Sequence, residues 1–140
     1  MKFFSATSTI QASKEKVWAI LTDGPNFPAW DPSVIRIEGA IVAGGKVVAY
    51  SKISPNRAFP AVVTEFVPGQ RMAWTGGMPF GLFKGVRTFT LTPQAEGRVN
   101  FTLREEFSGP LLPMIGGSIA DMTQSFQEAV AGLKAYAERS

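Results

Sequence analysis

With 140 residues, 45% of them hydrophobic, and a net charge of +3, the chain is long enough for one domain with a real core and too apolar for a disordered one. It has no histidine and no cysteine, which excludes thiolate nucleophiles, histidine general bases, disulfides and nearly all zinc and haem sites, so neither metal nor cofactor is expected. Lys14, Lys16, Arg36, Lys46, Lys52, Arg57 and Arg71 are dispersed among apolar neighbours, whereas a nucleic-acid footprint would gather positive charge on one face.

The N-terminus, Met1-Lys2-Phe3-Phe4, runs at once into Ser, Thr and Gln, so it lacks the apolar stretch of a signal peptide. No apolar run approaches the roughly 20 residues of a membrane span. A soluble cytoplasmic protein is expected, making at most a transient membrane contact. Phe4, Ala6, Ser8 and Ile10 alternate with polar residues and predict a first strand over residues 2–11. Ser13 reads as the N-cap of a short helix, with Glu15 in its first turn and Val17, Ile20 and Leu21 on its apolar stripe. Asp23-Gly24-Pro25 ends it, and the proline-punctuated stretch through Pro32 has room for one more short helix.

From Ser33 to about Ser108 the pattern is strand and turn. Six strands are predicted near 34–42, 46–53, 60–66, 70–76, 82–92 and 98–108. Ala43-Gly44-Gly45-Lys46, Val67-Pro68-Gly69-Gln70 and Gln94-Ala95-Glu96-Gly97 are tight polar connections of the hairpin kind, which makes the sheet an antiparallel meander. Beyond them Ile115, Ile119, Met122, Phe126, Val130, Leu133 and Ala137 recur at spacings of three and four and predict a long C-terminal helix. Pro110, Pro113 and Gly116-Gly117 loosen or delay its first turns. The fold class is α+β: residues 1–140 as one domain, a curved seven-strand antiparallel sheet, two short helices after the first strand, and a long C-terminal helix across the concave face.

Val17-Trp18 followed by Asp23, Trp30-Asp31-Pro32, Trp74-Thr75-Gly76, Gly85-Val86-Arg87-Thr88-Phe89, and Glu105-Glu106-Phe107-Ser108-Gly109 leading into Leu111-Leu112-Pro113 occur in an order that resembles the START-like superfamily. Within it the chain resembles the small bacterial polyketide cyclase/dehydrase and lipid-transport type proteins (SRPBCC). The resemblance spans nearly the whole chain. It implies a helix-grip fold with a hydrophobic cavity for lipids, polyketides, sterols or similar aromatic molecules. Relatives often carry a histidine where this chain has Arg87, so histidine-dependent chemistry does not carry over.

A meander sends successive connections to alternate ends, so the three polar turns share one end. The other end receives the loop 54–59, the loop 77–81 and the strand-to-helix junction 109–114. Phe59, Met78, Phe80, Leu111 and Leu112 gather large apolar side chains there, as a ligand mouth, a cap over the core, or a membrane or partner contact.

A turn centred near Glu96 pairs residues whose numbers sum to about 192. Arg87 then faces Glu105, Phe89 faces Leu103, and Leu91 faces Phe101. Thr88, Thr90, Thr92, Thr102 and Arg104 take the solvated face, so Arg87, Phe89, Leu91, Phe101, Leu103, Glu105 and Phe107 point inward. A guanidinium and a carboxylate can form a bidentate pair, and Arg87 with Glu105 is either an ion pair that only fixes the sheet or satisfies itself, or a polar anchor for a ligand oxygen in a greasy pocket. Met72, Trp74 and Phe83 are expected on the same wall, and Met122, Phe126 and Val130 on the facing helix, although a phenylalanine-rich core with 11 Phe explains them almost as well.

Trp18 and Trp30 read as packing residues. The expected partner is therefore a small hydrophobic ligand, held without nucleic acid or stable membrane insertion. A polyketide cyclase or aromatase, with Glu105 as general base and Arg87 stabilising an enolate, is the catalytic alternative, although pairing with Arg87 would make Glu105 a weak base. A third reading is an interaction module that uses the outer surface.

Overall fold

The computed structural model describes residues 2–52, 54–119 and 121–139. β1 (Lys2–Ile10) alternates half-buried and exposed side chains along its length, as expected for a strand with one face on the core. Ser13 caps α1 (Lys14–Leu21), its Oγ accepting the Lys16 N–H at 3.1 Å, and Val17 and Leu21 are the helix's buried side chains. A single 3-10 turn over Gly24–Asn26 leads into α2 (Phe27–Trp30), a one-turn helix with Phe27 and Trp30 buried.

The meander follows: β2 (Val34–Glu38), β3 (Lys46–Ser51), β4 (Ser54–Val67), β5 (Arg71–Gly77), β6 (Lys84–Pro93) and β7 (Val99–Ser108). β1 pairs with β7, so the described residues form a curved seven-stranded antiparallel sheet in the order β1-β7-β6-β5-β4-β3-β2. The polar turns lie together at one end, as predicted. β6 starts two residues later than predicted, at Lys84, and β3 ends at Ser51, but two strands depart further from their predicted bounds. β2 stops at Glu38 because Gly39 takes φ 91°, where its backbone runs so close to Lys46 that a Cβ would lie 2.1 Å from the carbonyl oxygen. β4 begins six residues early, and the stretch 54–59 expected as a loop is strand, with Phe59 opposite Ala49.

The composition Ser54-Pro55-Asn56 misleads there, because β4 pairs with β3 over 54–62 but with β5 only over 62–67. The Pro60 carbonyl faces Gly76 on the β5 flank, so the N–H that proline lacks is missing from a flank without ladder bonds. Ile53, placed at the end of the third predicted strand, lies outside the described residues.

The C-terminal region is shorter in helix than predicted. α3 (Leu112–Ile115) is one turn, a 3-10 turn occupies Gly116–Ser118, and α4 (Thr123–Arg139) carries the long amphipathic face. The Thr123 N–H bonds to Asp121 Oδ1 at 2.9 Å, and the Phe126 N–H donates to the Met122 carbonyl, so Met122 starts the helix and Ile115 and Ile119 precede it. Phe126, Ala129, Val130, Leu133 and Ala137 form its buried stripe. α4 lies nearest β1, where Ser8 Oγ donates to the Val130 carbonyl at 3.0 Å and Lys134 Nζ to the Thr9 carbonyl at 2.7 Å. It also meets α2 so closely that a Cβ on Gly132 would sit 1.9 Å from the Trp30 carbonyl oxygen. Among the described residues, no helix is long and apolar enough to cross a membrane.

Candidate site on the concave face

β6 and β7 pair in the register predicted from the turn: Arg87 opposite Glu105, Phe89 opposite Leu103, Leu91 opposite Phe101. Strict alternation then puts all of them on the concave face. Phe89, Leu91, Phe101 and Leu103 are buried there with Met72 and Trp74 of β5 and Phe126 and Val130 of α4, in one continuous core. Trp74 stands opposite Arg87 on its other side, and its ring lies 4.9 Å from Phe89 and 5.8 Å from Phe27. Trp30 joins this aromatic group through Phe27, at 4.7 Å, and Trp18 packs edge-on against Phe66, the packing roles expected of both.

Arg87 and Glu105 interrupt this apolar wall. Arg87 Nε donates to Glu105 Oε1 at 2.6 Å, with the side chains 26% and 14% exposed. The guanidinium carbon lies 5.2 Å from the Phe126 ring centre, where the π face adds attraction. The pair is held by this one bond and not by the two-bond fork that these groups can form. The terminal guanidinium nitrogens and Glu105 Oε2 bond to no protein group among the described residues. Gly85, two residues along β6, leaves open the space beside the carboxylate that a side chain would enter, since a Cβ there would lie 3.7 Å from Glu105 Oε2 and 3.3 Å from the Phe107 ring.

A third charged residue belongs to this neighbourhood, and sequence reasoning did not single it out as a site residue. Asp31, just after α2, is the buried charged residue of the described core. Its Oδ1 accepts both the Ser33 N–H at 3.0 Å and the Ser33 hydroxyl at 2.7 Å. Burial pushes its pKa up from the ordinary carboxylate value, although the two Ser33 bonds and the field of Arg87 pull the other way. The indole N–H groups of Trp30 and Trp74 are likewise buried and donate to no acceptor among the described residues.

Toward the end that bears the β5–β6 loop, labelled the open end for its solvent-exposed Met78 and Phe80, the wall continues with Phe107, buried, and Phe83, half-buried, stacked at 5.8 Å. The Leu111 N–H reaches the Leu82 carbonyl at 3.0 Å, tying the β5–β6 loop to the β7–α3 junction, with Leu111 and Leu112 half-buried beneath it. Met78 and Phe80 stand out into solvent, and Phe59 is also exposed, on β4. Met122 is half-buried against the core.

Two shallow surface grooves lie elsewhere. One, of about 280 Å³, is bordered by Lys16, Ile20, Asp23 and Tyr136. The other, of about 370 Å³, runs between β1 and α4 past Ser5, Thr7, Gln127 and Val130, the last being the predicted lining residue that either groove touches. Among the described residues no cluster of acidic side chains is arranged to hold a metal ion.

In fold the molecule is similar to several solved structures. A hypothetical protein of Helicobacter pylori superposes with a TM-score of 0.77 at 19% identity, over 97% of this chain and 88% of that one. The Zhui aromatase/cyclase of Streptomyces sp. R1128 gives 0.75 at 13% identity, over 99% and 94%. A START superfamily protein of Mycobacterium smegmatis gives 0.71 at 14%, over 98% and 97%. No curated protein sequence matches the chain. The sequence profile of the family described as polyketide cyclase/dehydrase and lipid transport matches residues 1–138, and with the helix-grip architecture around the Arg87–Glu105 wall it establishes that the chain belongs to that family.

Proposed function

We propose that the chain binds a small, largely apolar molecule carrying at least one oxygen function, held between the concave face and α4. The observation that carries this reading is the single-bonded Arg87–Glu105 pair, which leaves guanidinium donors and a carboxylate oxygen without protein partners in the middle of an apolar wall. Apolar sites select ligands through a few such polar groups. A ligand carbonyl, hydroxyl or carboxylate meeting Arg87 would be oriented, while aromatic and aliphatic side chains contact the rest. The unmet indole N–H groups of Trp30 and Trp74 support the same chemistry, since a buried donor left without an acceptor costs about 1–3 kcal/mol. The ligand reaches the wall from the end bearing the loop 77–83 and the junction 109–114. In this reading residues 1–140 act in the cytoplasm as one domain, without cofactor or nucleic acid, as a carrier of lipids, polyketides or aromatic compounds.

Native mass spectrometry of gently purified protein tests the reading, with a retained small molecule as the expected result. Arg87→Leu then discriminates the anchor from a purely structural pair. It is expected to weaken oxygenated probes far more than hydrocarbon probes. Equal losses for both classes, or none, would refute the anchor.

One observation favours a catalytic second reading, a cyclase or aromatase working in the same place. Asp31 is a buried carboxyl whose pKa is raised, within the field of Arg87, so it can hold a proton at neutral pH better than an exposed aspartate. It supplies the acid–base partner that Glu105, engaged by Arg87, does not. Asp31→Asn would abolish turnover of a poly-ketone substrate while leaving its binding intact; unchanged turnover removes Asp31 from any mechanism.

A further inference from the structure

The open end carries features that a cap over the core does not require. Phe80, in the single 3-10 turn Pro79–Gly81 of the β5–β6 loop, is 99% exposed. Its backbone is left-handed, at φ 61° and ψ 21°, a region that is strained for a bulky residue. Neither its side chain nor its backbone stabilises the free protein. Met114, 80% exposed, Met78, 47% exposed, and Leu82 accompany it, and the bond from Leu111 to Leu82 holds the two loops together.

Charge at this end is one-sided. The sequence has no charged residue between Arg71 and Lys84, and none between Glu106 and Asp121. The flanking cations Lys52, Arg57 and Lys84 are exposed, and no carboxylate pairs with them among the described residues. The nearest carboxylates along the chain are occupied: Glu106 is paired with Arg104 at 2.7 Å, and Asp121 caps the Thr123 N–H.

We propose that this end is a docking surface for an anionic lipid bilayer. Phe80, Met78, Leu82 and Met114 enter the boundary between headgroups and acyl chains, and Lys52, Arg57 and Lys84 meet the lipid phosphates. An apolar tip ringed by uncompensated cations fits an anionic membrane, because insertion and surface attraction add. The surface does not depend on what the interior holds.

The test is sedimentation of the full chain with vesicles of phosphatidylcholine alone and of phosphatidylcholine with phosphatidylglycerol. The wild type is expected to pellet with the anionic vesicles and to be released as salt approaches about 1 M. Phe80→Asp is expected to lower that binding by about tenfold or more. Phe80→Asn, whose side chain tolerates the left-handed backbone, should lower it too while unfolding at a temperature no lower than the wild type, which removes misfolding as an explanation. Arg57→Glu with Lys84→Glu should erase the preference for anionic vesicles.

No pelleting, equal binding to both vesicle types, or Phe80→Asp binding like the wild type would overturn the proposal. So would light scattering that shows a dimer dissociated by Phe80→Asp, since a second copy would then be the occupant. Binding of small apolar probes in solution by the Phe80 variants separates this result from the ligand reading.

Discussion

The two ends of the sheet are built from opposite materials. At the closed end the turns β4–β5 and β6–β7 are short, polar and closed by local bonds, such as the Gln94 N–H to the Arg98 carbonyl at 2.8 Å, while the longer β2–β3 connection buries Ile41 in the core. Just inside them Val99, Phe101 and Met72 are completely withdrawn from water. At the open end the β5–β6 loop and the segment that follows β7 are apolar, and Phe80 and Met114 are displayed to solvent. A molecule selected only for stability has no use for this asymmetry, because exposed Phe80 and Met114 contribute nothing to the core. The difference separates a part of the sheet whose work is packing from a part whose work is contact with something else.

The sharpest break of that comparison uses one substitution at both ends. Phe101→Ala removes a fully buried ring and is expected to destabilise the fold by about 3–5 kcal/mol, read by urea unfolding. Phe80→Ala is expected to leave stability within about 0.5 kcal/mol of the wild type. A comparable loss at Phe80 would mean that the open end is a cap after all. Between the ends, Arg87→Leu leaves Glu105 unpaired in a partly exposed setting and should destabilise by about 1–2 kcal/mol, less than a fully buried pair would. The ratio of oxygenated to hydrocarbon probe affinity should fall about tenfold, the weight of one charge-assisted hydrogen bond.

How far the sequence reached depended on whether local chemistry and long-range packing agreed. The Arg87–Glu105 register was legible because an unambiguous turn at Glu96 and strict alternation of apolar and polar residues on both strands left one consistent pairing. The start of α4 was not legible. Ile115, Ile119 and Met122 continue the helical spacing of Phe126 and Val130, but the Gly116–Gly117 step and the Asp121 cap restart the helix.

The early start of β4 was hidden by loop-like composition that pairing with β3 overrides. Asp31 was passed over for a related reason. Asp-Pro-Ser spells a turn in which the aspartate accepts from the backbone two residues on, and that turn forms. Its burial comes from α2 being pressed against α4 at Gly132, a contact no local pattern announces.

Asp31 offers a pH-dependent probe of the interior. Because burial raises its folded pKa above the unfolded value, the folded state binds the proton more tightly, and the group weakens stability as pH rises through that interval. Asp31→Asn keeps an oxygen to accept both Ser33 bonds but carries no titrating group. Wild type and variant are expected to be similar near pH 4, with the variant gaining relative stability toward pH 7, measured by urea unfolding at each pH. A difference independent of pH would mean that Asp31 ionises in the fold as freely as in the unfolded chain.

The smallest effect is also the most selective between the ends. Among the described residues, each end holds one non-glycine residue in left-handed backbone, Glu96 at φ 64° in the β6–β7 turn and Phe80 at φ 61° in the β5–β6 loop. Glycine takes either conformation without a Cβ penalty, so Glu96→Gly and Phe80→Gly should each raise stability, by about 0.5–1 kcal/mol after the added unfolded-state entropy is subtracted. Thermal unfolding would show the two gains to be alike. Their consequences should differ. Glu96→Gly relaxes a turn that only connects strands, and it should leave ligand and vesicle binding untouched. Phe80→Gly relaxes a loop that displays its ring at a cost, and the same gain should come with loss of vesicle binding. If both substitutions stabilise and both leave vesicle binding unchanged, the strain at Phe80 is of the same kind as that at Glu96, and the open end loses its claim to be a contact surface.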